Sequence, residues 1–243
     1  ELLKCLTLTD EFELFGADIS AAAYGHADDR FAATRVLAYA DAATYARDLL
    51  AYAQEVGATV IAPGAEATHR ILSAHRGLYA DAGIELMVND RGVIDLCSDK
   101  VACNDFLSAA GFETARTIIV TDKAGLDDFS SYPCVIKPAT NSGGSNMVFL
   151  AEDRREAEFF VDYLQARGFD ACVQEYLDSP NEFTVGVLST RSGEVLSSIA
   201  LQRNLSAKLS RSMAYGDRVI SSGWSQGKID YFPEVCAQAE KMA

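Results

Sequence analysis

No stretch of the 243-residue sequence approaches the roughly 18 uninterrupted apolar residues of a membrane-spanning helix, so nothing in it reads as a transmembrane segment. Positive charge is also scarce. Lys plus Arg number 21 against 35 Asp plus Glu, a formal net charge of −14. Such a surface repels a phosphate backbone and excludes a general nucleic-acid binder. A small anionic ligand stays compatible with it, because a few clustered cations set a local field against the global one. The three histidines, His26, His69 and His75, lie far from any cysteine cluster, which argues against zinc. None of the six cysteines (Cys5, Cys97, Cys103, Cys134, Cys172, Cys236) forms a C-x-x-C pair. Most sit in apolar runs, the pattern of buried free thiols in a reducing compartment, and a cytoplasmic location is expected. Neither G-x-x-x-x-G-K-[ST] nor G-x-G-x-x-G occurs, so a P-loop and a dinucleotide fingerprint are both missing. No Ser/His/Asp or Cys/His set suggests a nucleophilic enzyme.

What remains is an ordinary globular composition, 49% hydrophobic and 23% charged. The front of the chain alternates short apolar runs with longer segments of helical spacing. Tyr45, Leu49, Tyr52, Ala53 and Val56 define a helix stopped by Gly57, and ATVIAPG follows as a buried strand. A helix over 66–82 ends at Gly83, IELMV is the next strand, and a third helix over 91–110 is closed by Gly111. This order predicts βαβ units and a parallel sheet. Beyond Gly111 strands dominate: TARTIIV, PCVIKPA, MVFL, ACVQEYL, EFTVGVLS and EVLSSIALQ, with one charged helix over 152–167. The expected fold is therefore an α/β unit followed by an α+β unit. The turn signal NDRG at 89–92 marks the boundary, giving domains 1–90 and 91–243.

The chemistry concentrates in YPCVIKPATNSGGSNM, residues 132–147. An apolar strand that closes on Lys137 usually meets an anion there, because burying a lone ammonium costs several kcal/mol. The Gly/Ser/Asn loop behind it has the flexibility to wrap phosphate oxygens with backbone N–H groups. A hairpin connection with a snorkelling lysine is the plain structural reading of the same residues. Lys100, at the start of a helix, supplies a second cation. Glu175 and Glu182 bracket a Ser-Pro-Asn turn downstream. Two cations, a glycine loop and two carboxylates form a set able to cradle a nucleotide.

In this order and spacing, SDK, YPCVIKP, the glycine loop, VQEYL and a glutamate five residues after the leucine resemble the nucleotide site of the ATP-grasp superfamily. The carbamoyl-phosphate synthase large subunit and its stand-alone relatives are the nearest likeness, with biotin carboxylase more distant. ATVIAPGAEA and IELMVND resemble the Rossmann-like pre-ATP-grasp domain of those proteins. The resemblance implies that Lys100 and Lys137 contact the ATP phosphates and that Asn141, Ser142, Gly143, Gly144, Ser145 and Asn146 form the loop closing over them. It implies that Gln174, Glu175, Tyr176 and Leu177 are the hinge that reads the adenine edge through backbone groups, and that Glu182 binds the ribose hydroxyls. Arg203 and Lys208 take the positions of catalytic groups for the acyl phosphate or its acceptor; Asp217 in AYGDRVISS is a structural position. Magnesium is implied too, yet the E…E-x-N metal pattern is not seen after Glu182. Its carboxylate ligands are thus expected downstream of this chain, and the first strand upstream of it.

The activity implied is an ATP-dependent ligase or synthase that activates a carboxylate as an acyl phosphate for attack by an amine. Its partners would be a small carboxylate and an amine, with no nucleic acid and no membrane, in an assembly compatible with a homodimer. The alternative is a regulatory module that binds ATP without turnover.

Overall fold

In a computed structural model the described residues are 2–39, 41–139, 147–179, 181–205, 211–215, 218–222 and 226–243, with backbone alone for 211–215 and 220–222. They divide into two compact units, Glu1–Asp95 and Leu96–Ala243.

The first unit runs α1 (Leu2–Leu6), β1 (Phe15–Asp18), β2 (Ala33–Val36), α2 (Ala42–Glu55), β3 (Val60–Ile61), α3 (Glu66–Ala74), α4 (Arg76–Ala80) and β4 (Glu85–Leu86). The helix α5 (Arg91–Ser98) starts within it. The Asp41 carboxylate caps α2 by accepting from Thr44 N–H, and Gly57, at φ +70°, ends it. That left-handed residue lets Ala58 N–H reach back to Ala53 C=O at 2.8 Å, which only a glycine allows without strain. The buried face of α2, with Tyr45, Ala46, Leu49 and Ala53, packs with Leu72, Tyr79 and Leu86 into one core. Tyr79 donates its hydroxyl to Ala46 C=O at 2.7 Å.

The parallel pairing expected here is present in two separate pieces, β1 with β2 and β3 with β4. A continuous doubly wound sheet is not formed among the described residues. A cavity of about 660 Å³ is bounded by β1, β3 and the apolar side of α2. The single helix expected over 66–82 breaks at His75, whose backbone leaves helical geometry at φ −112°.

The second unit contains α6 (Lys100–Ala109), β5 (Thr117–Val120), β6 (Cys134–Pro138), β7 (Phe149–Ala151), α7 (Arg154–Gln165), β8 (Ala171–Glu175), β9 (Phe183–Ser189), β10 (Val195–Arg203), β11 (Arg211–Tyr215), β12 (Arg218–Ser222), β13 (Gly227–Asp230) and α8 (Pro233–Glu240). The helix expected over 91–110 is two helices, because the Asp99 carboxylate accepts from the N–H groups of Val101 and Ala102 at 3.0 Å and starts a new one. Among the described residues all pairing in this unit is antiparallel, in the orders β5-β8-β6-β7, β13-β10-β9 and β11-β12.

The four-stranded sheet positions the site. Side chains alternate along a strand, so each strand has one set for each face. Val120, Cys134, Ile136, Ala151, Ala171 and Val173 pack with Ala157, Val161 and Leu164 of α7 in a closed core. Thr117, Ile119, Val135, Lys137, Cys172 and Gln174 occupy the alternate positions and turn to the other face. That face is unevenly covered: Ile119 keeps 44% of its surface exposed, against 0% for Ile136 in the core, whereas Cys172 is fully buried.

The difference between the faces is measurable by urea denaturation. Ile136→Ala should cost about 2–5 kcal/mol, the range for deleting a buried aliphatic side chain. Ile119→Ala should cost about 1 kcal/mol or less. Equal losses would contradict the assignment of faces.

Candidate functional site

The register of the sheet brings the site together. Lys137 lies directly across from Cys172, and Gln174 directly across from Thr117. Lys137 and Gln174 are diagonal neighbours on adjacent strands, within reach of long side chains. Lys137 Nζ donates to Gln174 Oε1 at 2.9 Å, and Gln174 Nε2 donates to Thr117 Oγ1 at 2.8 Å. The Thr117 hydroxyl in turn donates to Ala115 C=O at 2.8 Å.

No carboxylate pairs with Lys137 among the described residues. Burial pushes its pKa below the ordinary lysine value, the nearby Lys100 ammonium pushes in the same direction, and Cys172 works against them. Two lysines distant in sequence therefore feel each other's charge. Lys100 is the first residue of α6, where the helix dipole adds positive potential. Burial raises the pKa of the Cys172 thiol, with Lys137 and Lys100 opposing that rise, so it stays protonated and acts as an apolar wall.

The hinge segment leaves β8 at Glu175, held on both sides. Glu175 N–H donates to Arg116 C=O at 2.9 Å, while Glu175 Oε1 accepts from Arg116 N–H at 2.9 Å. Tyr176 N–H donates to Pro133 C=O at 3.1 Å, and its hydroxyl to Val219 C=O at 3.4 Å. Arg218 sits near the Tyr176 ring and pairs with Glu152. With the side chains of Gln174 and Glu175 both engaged, the backbone is what this segment can offer a ligand. Leu177, 64% exposed, makes no backbone hydrogen bond among the described residues.

Glu182 and Arg203, expected in separate roles, are paired. Arg203 Nε lies 3.3 Å from Glu182 Oε1, and Arg203 N–H donates to Glu182 C=O at 2.8 Å. The pairing of β9 with β10 causes this, since Phe183 faces Gln202 one step further in. Asn141, Ser142, Gly143, Gly144, Ser145, Asn146, Lys208 and Asp217 lie outside the described residues. No group of three or more His, Cys, Asp or Glu side chains is placed to hold a metal among the described residues. Thr117 and Arg116 escaped sequence reasoning. A threonine or arginine at the start of an apolar strand carries no signal until the register is known.

Lys137 on one face of the sheet, Lys100 at the start of α6 and the strapped hinge beside them are carried by an α+β fold backed by α7. That fold is the ATP-grasp fold. Many solved structures share it, the following three among them. The biotin carboxylase domain of Hydrogenobacter thermophilus 2-oxoglutarate carboxylase, a dimer in complex with MgADP, ADP and bicarbonate, matches at 22% identity and TM-score 0.58, over 83% of this chain and 48% of its own. Biotin carboxylase of Campylobacter jejuni in complex with β,γ-ATP matches at 16% and 0.62, over 83% and 48%. L-amino acid ligase of Bacillus licheniformis matches at 16% and 0.57, over 81% and 52%. The chain thus spans about half the length of the structures it matches. No family model matches the sequence.

The buried ammonium has a stability signature. A lysine whose folded pKa lies below its unfolded one binds fewer protons when folded, so stability rises with pH between the lowered value and the ordinary 10.5. Below that window its full destabilisation is present. The stability of Lys137→Met relative to wild type should therefore shrink as pH rises through the window, measured by chemical denaturation across pH. A constant difference would contradict the lowered pKa.

Proposed function

We propose that this chain binds ATP beside Lys137, on the face of the β5-β8-β6-β7 sheet away from α7, as the nucleotide-binding part of an ATP-grasp ligase. The observation that carries the reading is Lys137, a part-buried ammonium with no carboxylate partner among the described residues, within the field of Lys100. An anion supplies the missing countercharge, and a triphosphate reaches both lysines. Leu177, whose backbone makes no hydrogen bond among the described residues, offers its N–H and C=O to the adenine edge, and Glu182 a half-exposed carboxylate to the ribose. Arg203, held by Glu182, is the candidate for contact with the acyl phosphate or acceptor. On this reading residues 1–90 are the pre-ATP-grasp unit and 91–243 the ATP-grasp unit.

The reaction proposed is attack of a substrate carboxylate on the γ-phosphate, expelling ADP and forming an acyl phosphate. An amine then displaces phosphate from the acyl carbon. Such chemistry asks the protein for positioning and charge neutralisation and for no nucleophile of its own. Magnesium, when bound, supplies further neutralisation of the phosphates. A carbamoyl-phosphate-synthase-like substrate pair and a reducing, cytoplasmic setting are part of the proposal, the latter supported by six cysteines without a disulfide.

Lys137→Ala should weaken ATP binding by about 1.5–3 kcal/mol, roughly ten- to a hundredfold, in isothermal calorimetry. Unchanged affinity would remove Lys137 from the site. Glu182→Ala should hurt ATP more than 2′,3′-dideoxy-ATP, and equal losses would remove the ribose role. Turnover is tested by phosphate release across a panel of carboxylates and amines. ATP binding without release on that panel would favour the regulatory module.

A further inference from the structure

We infer that Gln174 is a positioning residue: a neutral side chain that fixes the Lys137 ammonium in place and leaves its charge available to a bound anion. The identity of that anion as nucleotide phosphate rests on the function proposed above.

The argument follows from donor and acceptor inventory. An ammonium has three donors and no acceptor, so the Gln174 atom 2.9 Å from Lys137 Nζ is the carbonyl oxygen. The amide nitrogen then faces Thr117 Oγ1 at 2.8 Å and donates to it. Thr117 keeps its own proton for Ala115 C=O, 2.8 Å away. The chain runs one way, from ammonium to amide to hydroxyl to a backbone carbonyl, and every polarity is determined. Turning the amide over would set NH₂ against the ammonium and the carbonyl oxygen against a hydroxyl whose proton is already placed. Gln174 is therefore locked from behind by β5, and Lys137 is locked by Gln174.

The chemistry of the locking group matters as much as its geometry. Glutamate is nearly the same size and would accept from Lys137 equally well. It would also cancel the charge. The described groups that act on the ammonium do not do so: Lys100 is a like charge, and the Cys172 thiol is kept neutral by burial. An amide at position 174 is the one choice that both orients the ammonium and leaves the pocket cationic, in a protein whose net charge is −14.

The experiment compares wild type, Gln174→Glu and Thr117→Val in the 243-residue chain. ATP and adenosine are titrated by calorimetry, and the Lys137 side chain is followed by NMR across pH without nucleotide. In Gln174→Glu, Lys137 should titrate at higher pH than in wild type. ATP affinity should fall by about tenfold or more, the cost of cancelling a charge-assisted contact, while adenosine affinity stays within about twofold. Thr117→Val removes the acceptor behind Gln174, together with the hydroxyl's own bond to Ala115 C=O, and leaves Lys137 and Gln174 in place. It should lower ATP affinity by about threefold with adenosine unchanged, which keeps the test open if the glutamate variant does not fold. An unmoved Lys137 titration in Gln174→Glu would overturn the inference. Equal losses for ATP and adenosine would overturn it too, and would make Gln174 an adenine contact. Absence of ATP binding by wild type would sink the nucleotide reading, whereas the lysine titration would still decide the role of Gln174.

Discussion

A buried lysine ammonium that meets an amide in place of a carboxylate is an expensive arrangement, and among the described residues of the second unit Lys137 is held in this way. Desolvation of an ammonium costs several kcal/mol, and an ion pair is the usual remedy. Here the remedy is half applied. Gln174 satisfies one donor of Lys137 and none of its charge. The hydrogen bond lowers the cost enough for the lysine to stay in place, and the remaining charge is what an anion can use.

That arrangement depends on a rigid support. The face of the sheet opposite the lysine is closed by α7, with Ile136, Val161, Leu164, Ala171 and Val173 fully buried. Interiors packed this way do not deform gradually, so the register linking Lys137 to Cys172 and Gln174 to Thr117 is fixed by the core beneath it. The hinge is strapped to both neighbouring strands through Arg116 and Pro133. Rigid strands position the lysine and amide, and the exposed Leu177 lies two residues beyond the end of β8. Precision at the site and apolar burial on the far face are thus two consequences of one alternating pattern.

Much of this was legible in the chain. PCVIKPA reads as a strand because β-branched and apolar residues run through it, and Lys137 stands out because a cation ends such a run. ACVQEYL and TARTIIV were legible for the same reason, and Gly57 as a helix stop because its backbone turns left-handed. Less legible were short elements with little periodicity. The strand β2, ATRV, has too few residues to show an alternation, and the break at Asp99 hides inside a continuous helical pattern because a capping aspartate is also a common surface residue.

The sequence by itself determined the order of elements, the strands that carry cations and the absence of competing nucleotide motifs, since these depend on local periodicity and composition. Tertiary structure alone decided which residues meet. That Gln174 turns its side chain to Lys137, that Glu175 spends its carboxylate on Arg116, and that Glu182 pairs with Arg203 all follow from strand register. Register is set by long-range pairing between strands separated by tens of residues. A shift of one position would send each of these side chains to the opposite face, and nothing in the local sequence reports which position is taken.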